Sequence, residues 1–285
     1  MGKKTESVLR LLSNKPFVQG ALVLALIFAL ANPLGLPIKI DPMSKKVYDI
    51  MENLKPNSKI LYVASAPTGT MGDLIPQSVP LIYHLMRRGN LKLFFIGIGE
   101  SADHIMIYID SEVFKRIGYP EKYGLVYGED WVNLGYVAGR EVSYENFAND
   151  VQGTILIDRE GNRVAELPMF EDVHTMADFD LVIYNGEKSW MPIQYWTEKF
   201  HKPLIVLTHT AMLPIDVIPW YTAGQITAYL CGVRSGADYE VLVDRPGGAV
   251  AALDALSISH LFLISLILLG NITYMVEKIE GKEAK

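Results

Sequence analysis

Two long stretches without a charged residue lie near the ends of this chain. The first runs from Pro16 to Ile38 and the second from Ala255 to Val276. At ~1.5 Å of rise per helical residue each stretch reaches roughly 33 Å, which matches a hydrocarbon core of about 30 Å. The pattern therefore predicts two transmembrane helices, with a segment 1–15 before the first, a soluble domain 39–254 between them and a tail 277–285.

The first stretch has an alternative interpretation. Lys3, Lys4 and Arg10 precede an apolar run that reaches small residues at 29–31, which is also the pattern of a secretory signal with its cleavage site. The apolar run continues to Ile38, however, and is longer than a typical signal core. Its length favours a retained anchor.

Basic residues near the membrane ends predict the orientation. The outer flanks of the two stretches carry Lys3, Lys4, Arg10, Lys15, Lys278, Lys282 and Lys285, and the inner flanks carry Lys39, Lys45, Lys46 and Arg245. Because basic flanks favour the cytoplasmic side, we expect both termini in the cytoplasm and the domain outside it. Lys45 and Lys46 keep the reverse orientation, with a cytoplasmic domain, as the alternative.

Composition excludes some classes of function for the central domain. The formal net charge is −6, whereas a protein that binds nucleic acid needs a clustered basic face, so no nucleic-acid partner is expected. The single cysteine, Cys231, excludes an intrachain disulfide but does not identify the compartment. The roughly 215 residues between the two stretches are typical of one domain with a sizeable core.

Short apolar runs separated by helical patterns predict the fold class. Four runs have the composition of strands that are buried on both faces: Lys59–Ser65, Lys92–Gly99, Phe179–Tyr184 and Pro203–Thr208. Strands that alternate with helices imply right-handed crossovers. We therefore predict an α/β domain with a mostly parallel, three-layer, Rossmann-like sheet, flanked by N- and C-terminal transmembrane helices.

Two local features refine this prediction. The sequence Asp158–Asn162 is typical of a tight turn, and it predicts a hairpin between strands at Thr154–Ile157 and Arg163–Leu167, an antiparallel excursion from the sheet. Ser44–Leu54 has the spacing of an amphipathic helix, for which Ser44 is the expected N-cap.

The segment Val217–Val233 has no charged residue, but it contains too many polar residues and glycines to span a membrane. Gly224, Ala228 and Gly232 recur every four residues, so a helix here would carry a stripe that lets another helix approach closely. Three interpretations stay open: a buried helix of the domain, a subunit interface, and a helix at the membrane surface. The predicted interface residues are Gly224, Ala228, Gly232, Gly236 and Tyr239.

Three stretches carry a resemblance to a known family. They are KYGLVYGEDWVNLGYVAG at 122–139, AGQITAYLCGVRSGADYEVL at 223–242 and the tail His260–Tyr274, which ends in LGNITY. They are similar to an uncharacterised prokaryotic family with two membrane helices around an α/β domain. The resemblance implies this architecture alone, and it transfers no catalytic or binding residue.

Candidate site residues follow from the predicted sheet. Ligands of parallel α/β sheets gather at the carboxyl ends of the strands, where the loops of this chain hold Asp73, Glu100, Glu187 and His209. Carboxylates near a histidine can perform acid–base chemistry or hold a divalent metal. The alternative is that these charges are solvated or cap the following helices. The loop Pro67–Gly72 could likewise hold an anion, although a sharp turn explains it without one.

No motif identifies a reaction. The six histidines show no metal-ligand spacing, so neither a metal nor another cofactor is predicted. We expect a membrane-anchored structural or accessory subunit of a homo-oligomeric or larger membrane assembly, in contact with lipid and joined through the Val217–Tyr239 region. The alternative is a membrane-tethered enzyme or ligand-binding domain that uses Asp73, Glu100, Glu187 and His209.

Overall fold

A computed structural model describes residues 14–31, 38–99 and 102–279. The chain divides into two compact units. One unit is the central domain, Lys39–Arg245, and the other is formed by the two terminal segments of the chain.

The central domain contains a six-stranded sheet in which all strands are parallel. Its strands are β1 (Lys59–Ser65), β2 (Lys92–Ile98), β3 (Trp131–Val137), β4 (Leu181–Gly186), β5 (Leu204–Thr208) and β6 (Ala228–Cys231). The spatial order is β3-β2-β1-β4-β5-β6. This order confirms the predicted α/β class and is consistent with a Rossmann-like sheet.

The helices of the described chain are α1 (Lys15–Ala31), α2 (Pro42–Glu52), α3 (Met71–Arg88), α4 (Ala102–Tyr108, continued by a π-helical segment Ile109–Arg116), α5 (Tyr119–Lys122), α6 (Glu141–Asn149), α7 (Val151–Thr154), α8 (Trp190–Pro192, Ile193–Thr197 and Glu198–Phe200), α9 (Leu213–Val217 and Ile218–Thr222), α10 (Gly232–Leu242) and α11 (Gly248–Ile279). Single 3₁₀ turns lie at Thr68–Thr70, Val164–Glu166, Pro168–Phe170 and Met176–Asp178.

Consecutive strand residues contribute their side chains alternately to two hydrophobic cores, one on each face of the sheet. Tyr62 and Ile183 belong to the core that α3 covers with Leu81 and Leu85. Their neighbours Leu61 and Val182 belong to the opposite core, which contains Phe147 of α6 and Trp196 of α8. Because consecutive side chains of a strand point to opposite faces, strands covered on both faces need continuous apolar runs. The layers are therefore helix, sheet and helix.

The predicted hairpin is wrong. Thr154 ends the helical turn α7, and a single antiparallel bridge joins Ile157 to Arg163. Asp158 explains the compact loop, because its carboxylate accepts the backbone N–H groups of Glu160 and Asn162. The side chain, and not a strand ladder, satisfies the backbone of this turn.

The predicted N-cap of α2 is also wrong. Asp41 caps this helix by accepting the backbone N–H of Met43 at 2.7 Å. Ser44 lies inside the domain, where its hydroxyl donates to the Asp238 carboxylate at 3.1 Å. A proline at the first helical position, Pro42, fits the helix start that Asp41 defines.

In the terminal unit, α1 packs against α11. Within α11 the segment Gly248–Ile272 is long and apolar enough to cross a membrane, judged by length and composition, with a mean hydropathy of 2.1. Its large apolar side chains are mostly exposed, as Leu261 at 61 % and Ile267 at 63 % illustrate. The described helix α1 is apolar but only 17 residues long, and residues 32–37 of the predicted first span lie outside the described chain.

Candidate ligand cleft at the carboxyl edge of the sheet

The strand order creates one position at which a cleft is expected. The helices that follow β1 and β2 pack on one face of the sheet, and those that follow β4 and β5 pack on the other. After the neighbouring strands β1 and β4 the chain therefore turns toward opposite faces of the sheet. This divergence opens a crevice at the carboxyl ends of the two strands. This is the topological switch point of the sheet.

A cavity of about 230 Å³ lies at this switch point. Its lining residues come from the ends of β1, β2, β3 and β4, and they are Ser65, Pro67, Gly99, Gly139, Arg140, Glu187, Lys188 and Met191. We call these eight residues and the space between them the cleft. Its volume lies below the roughly 300–1,000 Å³ of pockets for drug-sized molecules, so the cleft suits a small ligand.

Two glycines keep the cleft open. Gly99 has a φ of +116°, and a Cβ added there would lie 3.0 Å from the Ser65 Oγ atom. Gly139 has a φ of +134°, and an added Cβ would lie 2.1 Å from the Ser143 Oγ atom. Side chains at both positions would be strained by the backbone and crowded by neighbours. The bends after β2 and β3 therefore depend on glycine.

Two tyrosines support the cleft from inside the fold. The Tyr144 hydroxyl donates to Ser65 Oγ at 2.8 Å, and the Tyr184 hydroxyl lies beside Ser65 and Tyr144. Burial raises the pKa of both phenols, that of Tyr144 well above its usual range. Both therefore stay neutral near pH 7, and the Tyr144 hydroxyl orients Ser65 through its hydrogen bond.

A contact between a histidine and a glutamate joins the ends of β4 and β5. The Nε2 atom of His209 lies 3.2 Å from the Oε1 atom of Glu187, and both side chains are mostly buried. Glu187 lines the cleft, whereas His209 supports it from the neighbouring strand. Carboxylate and imidazole side chains are the groups that most often perform general acid–base catalysis.

Behind this wall, Asp216 of α9 holds the start of the chain that leads into α8. Its carboxylate accepts the backbone N–H of Ser189 at 2.9 Å. Burial raises the pKa of Asp216, and hydrogen bonds from Ser189 partly offset this increase. The contact fixes the backbone beside Lys188, so the loop after β4 has a defined conformation.

The structure brings together two of the four predicted site residues. Glu187 and His209 form the pair described above. Asp73 lies apart from the cleft lining, near Gly232, where an added Cβ would be 4.0 Å from the Asp73 Oδ2 atom. Glu100 lies outside the described residues. Asp73 is therefore a neighbour of the β6–α10 junction and does not line the cleft.

Sequence reasoning missed two basic residues of the cleft, Arg140 and Lys188. Lys188 lies in the predicted loop after β4, directly beside the predicted site residue Glu187. Arg140 follows β3, a strand whose run contains Asn133 and Gly135 and was not recognised. Recognition of β3 would have placed its following loop at the same edge of the sheet as Ser65 and Glu187.

The helix predicted at Val217–Val233 is wrong. The segment contains the end of α9, a turn at Gly224 with φ of +80°, strand β6 and the first residues of α10. Gly224, Ala228 and Gly232 therefore do not share one helical face. Ala228 and Tyr239 are fully buried inside the domain. An interface through this region stays a prediction, without the helical stripe on which it was based.

Gly232 has an intramolecular reason to be glycine. Its φ is +64°, and an added Cβ would lie 2.7 Å from the Thr210 Oγ1 atom. Nearby, burial raises the pKa of Cys231, and the charge of Asp73 adds to this effect. The Cys231 thiol therefore stays protonated near pH 7 and is a poor nucleophile.

Within residues 14–31, 38–99 and 102–279, no group of three or more histidine, cysteine, aspartate or glutamate side chains is arranged to hold a metal ion. Comparison of the chain with protein-family models, characterised proteins and solved structures finds no match. The resemblance to a two-helix membrane family therefore stays a prediction, and the functional argument depends on the cleft itself.

Proposed function

We propose that this chain is a membrane-tethered domain that binds a small molecule in the cleft. The observation that carries the proposal is the position of the cavity at the β1/β4 switch point, where α/β sheets bind ligands. A plain packing defect would not need glycines with positive φ at both Gly99 and Gly139. The side chains around the cavity are also held in place, as the bonds of Ser65 and Glu187 show.

The proposed tether is α11, with α1 as a second anchor. The exposed apolar surface of α11 supports this, because such a surface would be unstable in water. Cytoplasmic termini and an extracytoplasmic domain are part of the proposal, supported by the basic flanks of the two segments. The bilayer would then restrict the cleft to a layer close to its surface, where encounters with membrane-associated ligands are more frequent.

The Glu187–His209 pair favours an enzyme as the more specific form of this proposal. A cleft that only holds a ligand has no need of a proton acceptor in its wall, whereas acid–base catalysis requires one within reach of the ligand. Glu187 would contact the ligand, and His209 would position Glu187.

The accessory-subunit hypothesis needs a different test from the one its sequence pattern indicates. Gly232→Leu would target the predicted interface, but it cannot separate assembly from folding. Because Gly232 has positive φ and lies against Thr210, this substitution would strain the domain itself. The exposed residue Gly224, which has open space around its Cα, is the better position: Gly224→Asn tolerates positive φ and changes only the surface.

A blocked cleft tests the proposed function. The full chain, reconstituted in phosphatidylcholine nanodiscs, would be screened for compounds that raise its Tm, with Ser65→Phe as the blocked variant. Ser111→Phe is the matched control, because it introduces the same group at an exposed site away from the cleft. We expect compounds that stabilise wild type and Ser111→Phe but not Ser65→Phe.

A second blocked variant serves as a control in case Ser65→Phe misfolds. Arg140→Trp fills the rim from an exposed position, so it should leave the fold intact. If no compound raises the Tm of wild type more than that of the two blocked variants, the cleft is not a binding site and the proposal fails.

A further inference from the structure

We infer that the cleft binds an anion, a ligand that carries a phosphate or carboxylate group. This inference rests on the proposed function and names the chemical class of its ligand. Two basic side chains, Arg140 and Lys188, line the cleft, and among the described residues that line it Glu187 is the one carboxylate. The two basic side chains therefore outnumber the carboxylate, which also contacts the His209 ring at 3.2 Å.

The two basic groups approach from different parts of the sheet. Arg140 follows β3 and Lys188 follows β4, which lie on opposite sides of β1 in the strand order. A ligand held between them would therefore be bound from two directions. Charge-assisted hydrogen bonds to phosphate or carboxylate are the strongest that such side chains make, and arginine adds a bidentate geometry.

Lys188 has no other role within the described chain. No carboxylate lies within ion-pair distance of its ammonium group there, and the side chain is exposed at the mouth of the cleft. Its backbone, in contrast, is fixed by the contact between Asp216 and the next residue, Ser189. A flexible basic side chain on a fixed backbone is suited to closing on an anion.

Calorimetry with defined anions tests this inference. The full chain in phosphatidylcholine nanodiscs would be titrated with pyrophosphate and with malonate, and glycerol would serve as the neutral probe. We expect binding of at least one anion and none of glycerol. Lys188→Gln and Arg140→Gln should each weaken anion binding by about tenfold or more, whereas Lys188→Arg should retain it.

The variants separate the two levels of the proposal. If screening hits are neutral or basic compounds that Ser65→Phe abolishes and Lys188→Gln does not, the cleft is a binding site and the anion inference is wrong. If anions bind equally to wild type and Ser65→Phe, they bind elsewhere and the proposed function also loses its support.

A lipid headgroup and a soluble anion share the same chemistry. Nanodiscs that contain phosphatidylglycerol distinguish the two sources. Competition between this lipid and pyrophosphate, lost in Lys188→Gln, would identify a headgroup as the ligand. Unchanged pyrophosphate affinity in the same nanodiscs would identify a soluble anion.

Discussion

Two regions of the central domain bury polar groups, and they differ in how completely those groups are bonded. The first, which we call the helix junction, lies between α2, α3 and α10 and contains Glu52, His84, Asp238 and Tyr239. Both ring nitrogens of His84 are bonded there, Nε2 to Glu52 at 2.9 Å and Nδ1 to the Tyr239 hydroxyl at 2.8 Å.

The second region is the carboxyl edge of the sheet beside the cleft. Five fully buried side-chain oxygen atoms there have no hydrogen-bond partner among the described residues, and they belong to Gln77, Tyr184, Asn185, Ser189 and Thr208. Their groups are otherwise well placed: the Asn185 amide donates to Tyr62 and to Ser78, and the Gln77 amide donates to the backbone of Thr208. A buried acceptor without a donor is unfavourable unless water or a ligand satisfies it.

The comparison distinguishes polar groups that are buried to stabilise the fold from polar groups that are buried beside a proposed ligand site. At the helix junction the partners define one another: burial alone would raise the pKa of Glu52, but hydrogen bonds from His84 and Tyr48 hold it below its usual value. An ionised Glu52 can only accept, so His84 donates from Nε2 and accepts the Tyr239 proton at Nδ1. This network is complete without a ligand, whereas the carboxyl edge is not.

The largest effect is expected at Asp238, which is fully buried in the helix junction. Its carboxylate accepts the Asp41 backbone N–H and the Ser44 hydroxyl, both at 3.1 Å. Asp238→Ala should lower the free energy of unfolding by about 2–4 kcal/mol, because buried donors lose their acceptor. Chemical denaturation measures this change. An exposed ion pair provides the control: Lys45→Ala, which removes the Lys45–Asp49 pair, should cost less than about 1 kcal/mol.

An intermediate effect is expected at His84. His84→Phe keeps the ring but leaves the buried Tyr239 hydroxyl without its acceptor, so the free energy of unfolding should fall by about 1–3 kcal/mol. Anion binding at the cleft should not change. A loss of anion binding that is as large as in Lys188→Gln would show that the two regions are not separable.

His84 also predicts a pH dependence. Burial lowers its pKa, although Glu52 opposes this effect while Arg87 and Arg88 add to it. Above about pH 6.5 the ring is neutral in both folded and unfolded chains. Below this pH the unfolded chain takes up a proton that the folded chain resists, so the stability of wild type should decrease as the pH falls toward 5. In His84→Phe this part of the decrease should disappear, and an identical decrease would contradict the account.

The smallest effect on stability is expected at Lys188. Its side chain is exposed, so Lys188→Gln should change the free energy of unfolding by less than about 0.5 kcal/mol. The same substitution should have the largest effect on anion binding. A loss of stability comparable to that of His84→Phe would mean that Lys188 belongs to the fold and not to the cleft.

The sequence predicted the central strands of the sheet and missed its edges. β1, β2, β4 and β5 have neighbours on both sides, and their burial demands continuous apolar runs that are easy to recognise. The edge strands β3 and β6 have one neighbour each. β3 includes Asn133 and Gly135, and β6 is only four residues long within a charge-free segment. Both are therefore fixed by tertiary pairing more than by local pattern.

The same reasoning explains the site. The carboxyl edge and its Glu187 and His209 were predicted because they follow recognised strands. Arg140 was missed because it follows β3, and the small residues of Val217–Val233 suggested a helical stripe because spacing alone cannot reveal a positive φ at Gly224 and Gly232. Both errors concern edge strands, which are defined by pairing with strands distant in the sequence. No local sequence pattern encodes this pairing.

The most direct test compares the rise in Tm that pyrophosphate and malonate produce in wild type, His84→Phe and Lys188→Gln, each as the full chain in nanodiscs. The account predicts similar increases for wild type and for His84→Phe, despite the lower starting Tm of the latter, and a much smaller increase for Lys188→Gln. Equal increases in wild type and Lys188→Gln, or no increase in wild type, would contradict an anion site in the cleft.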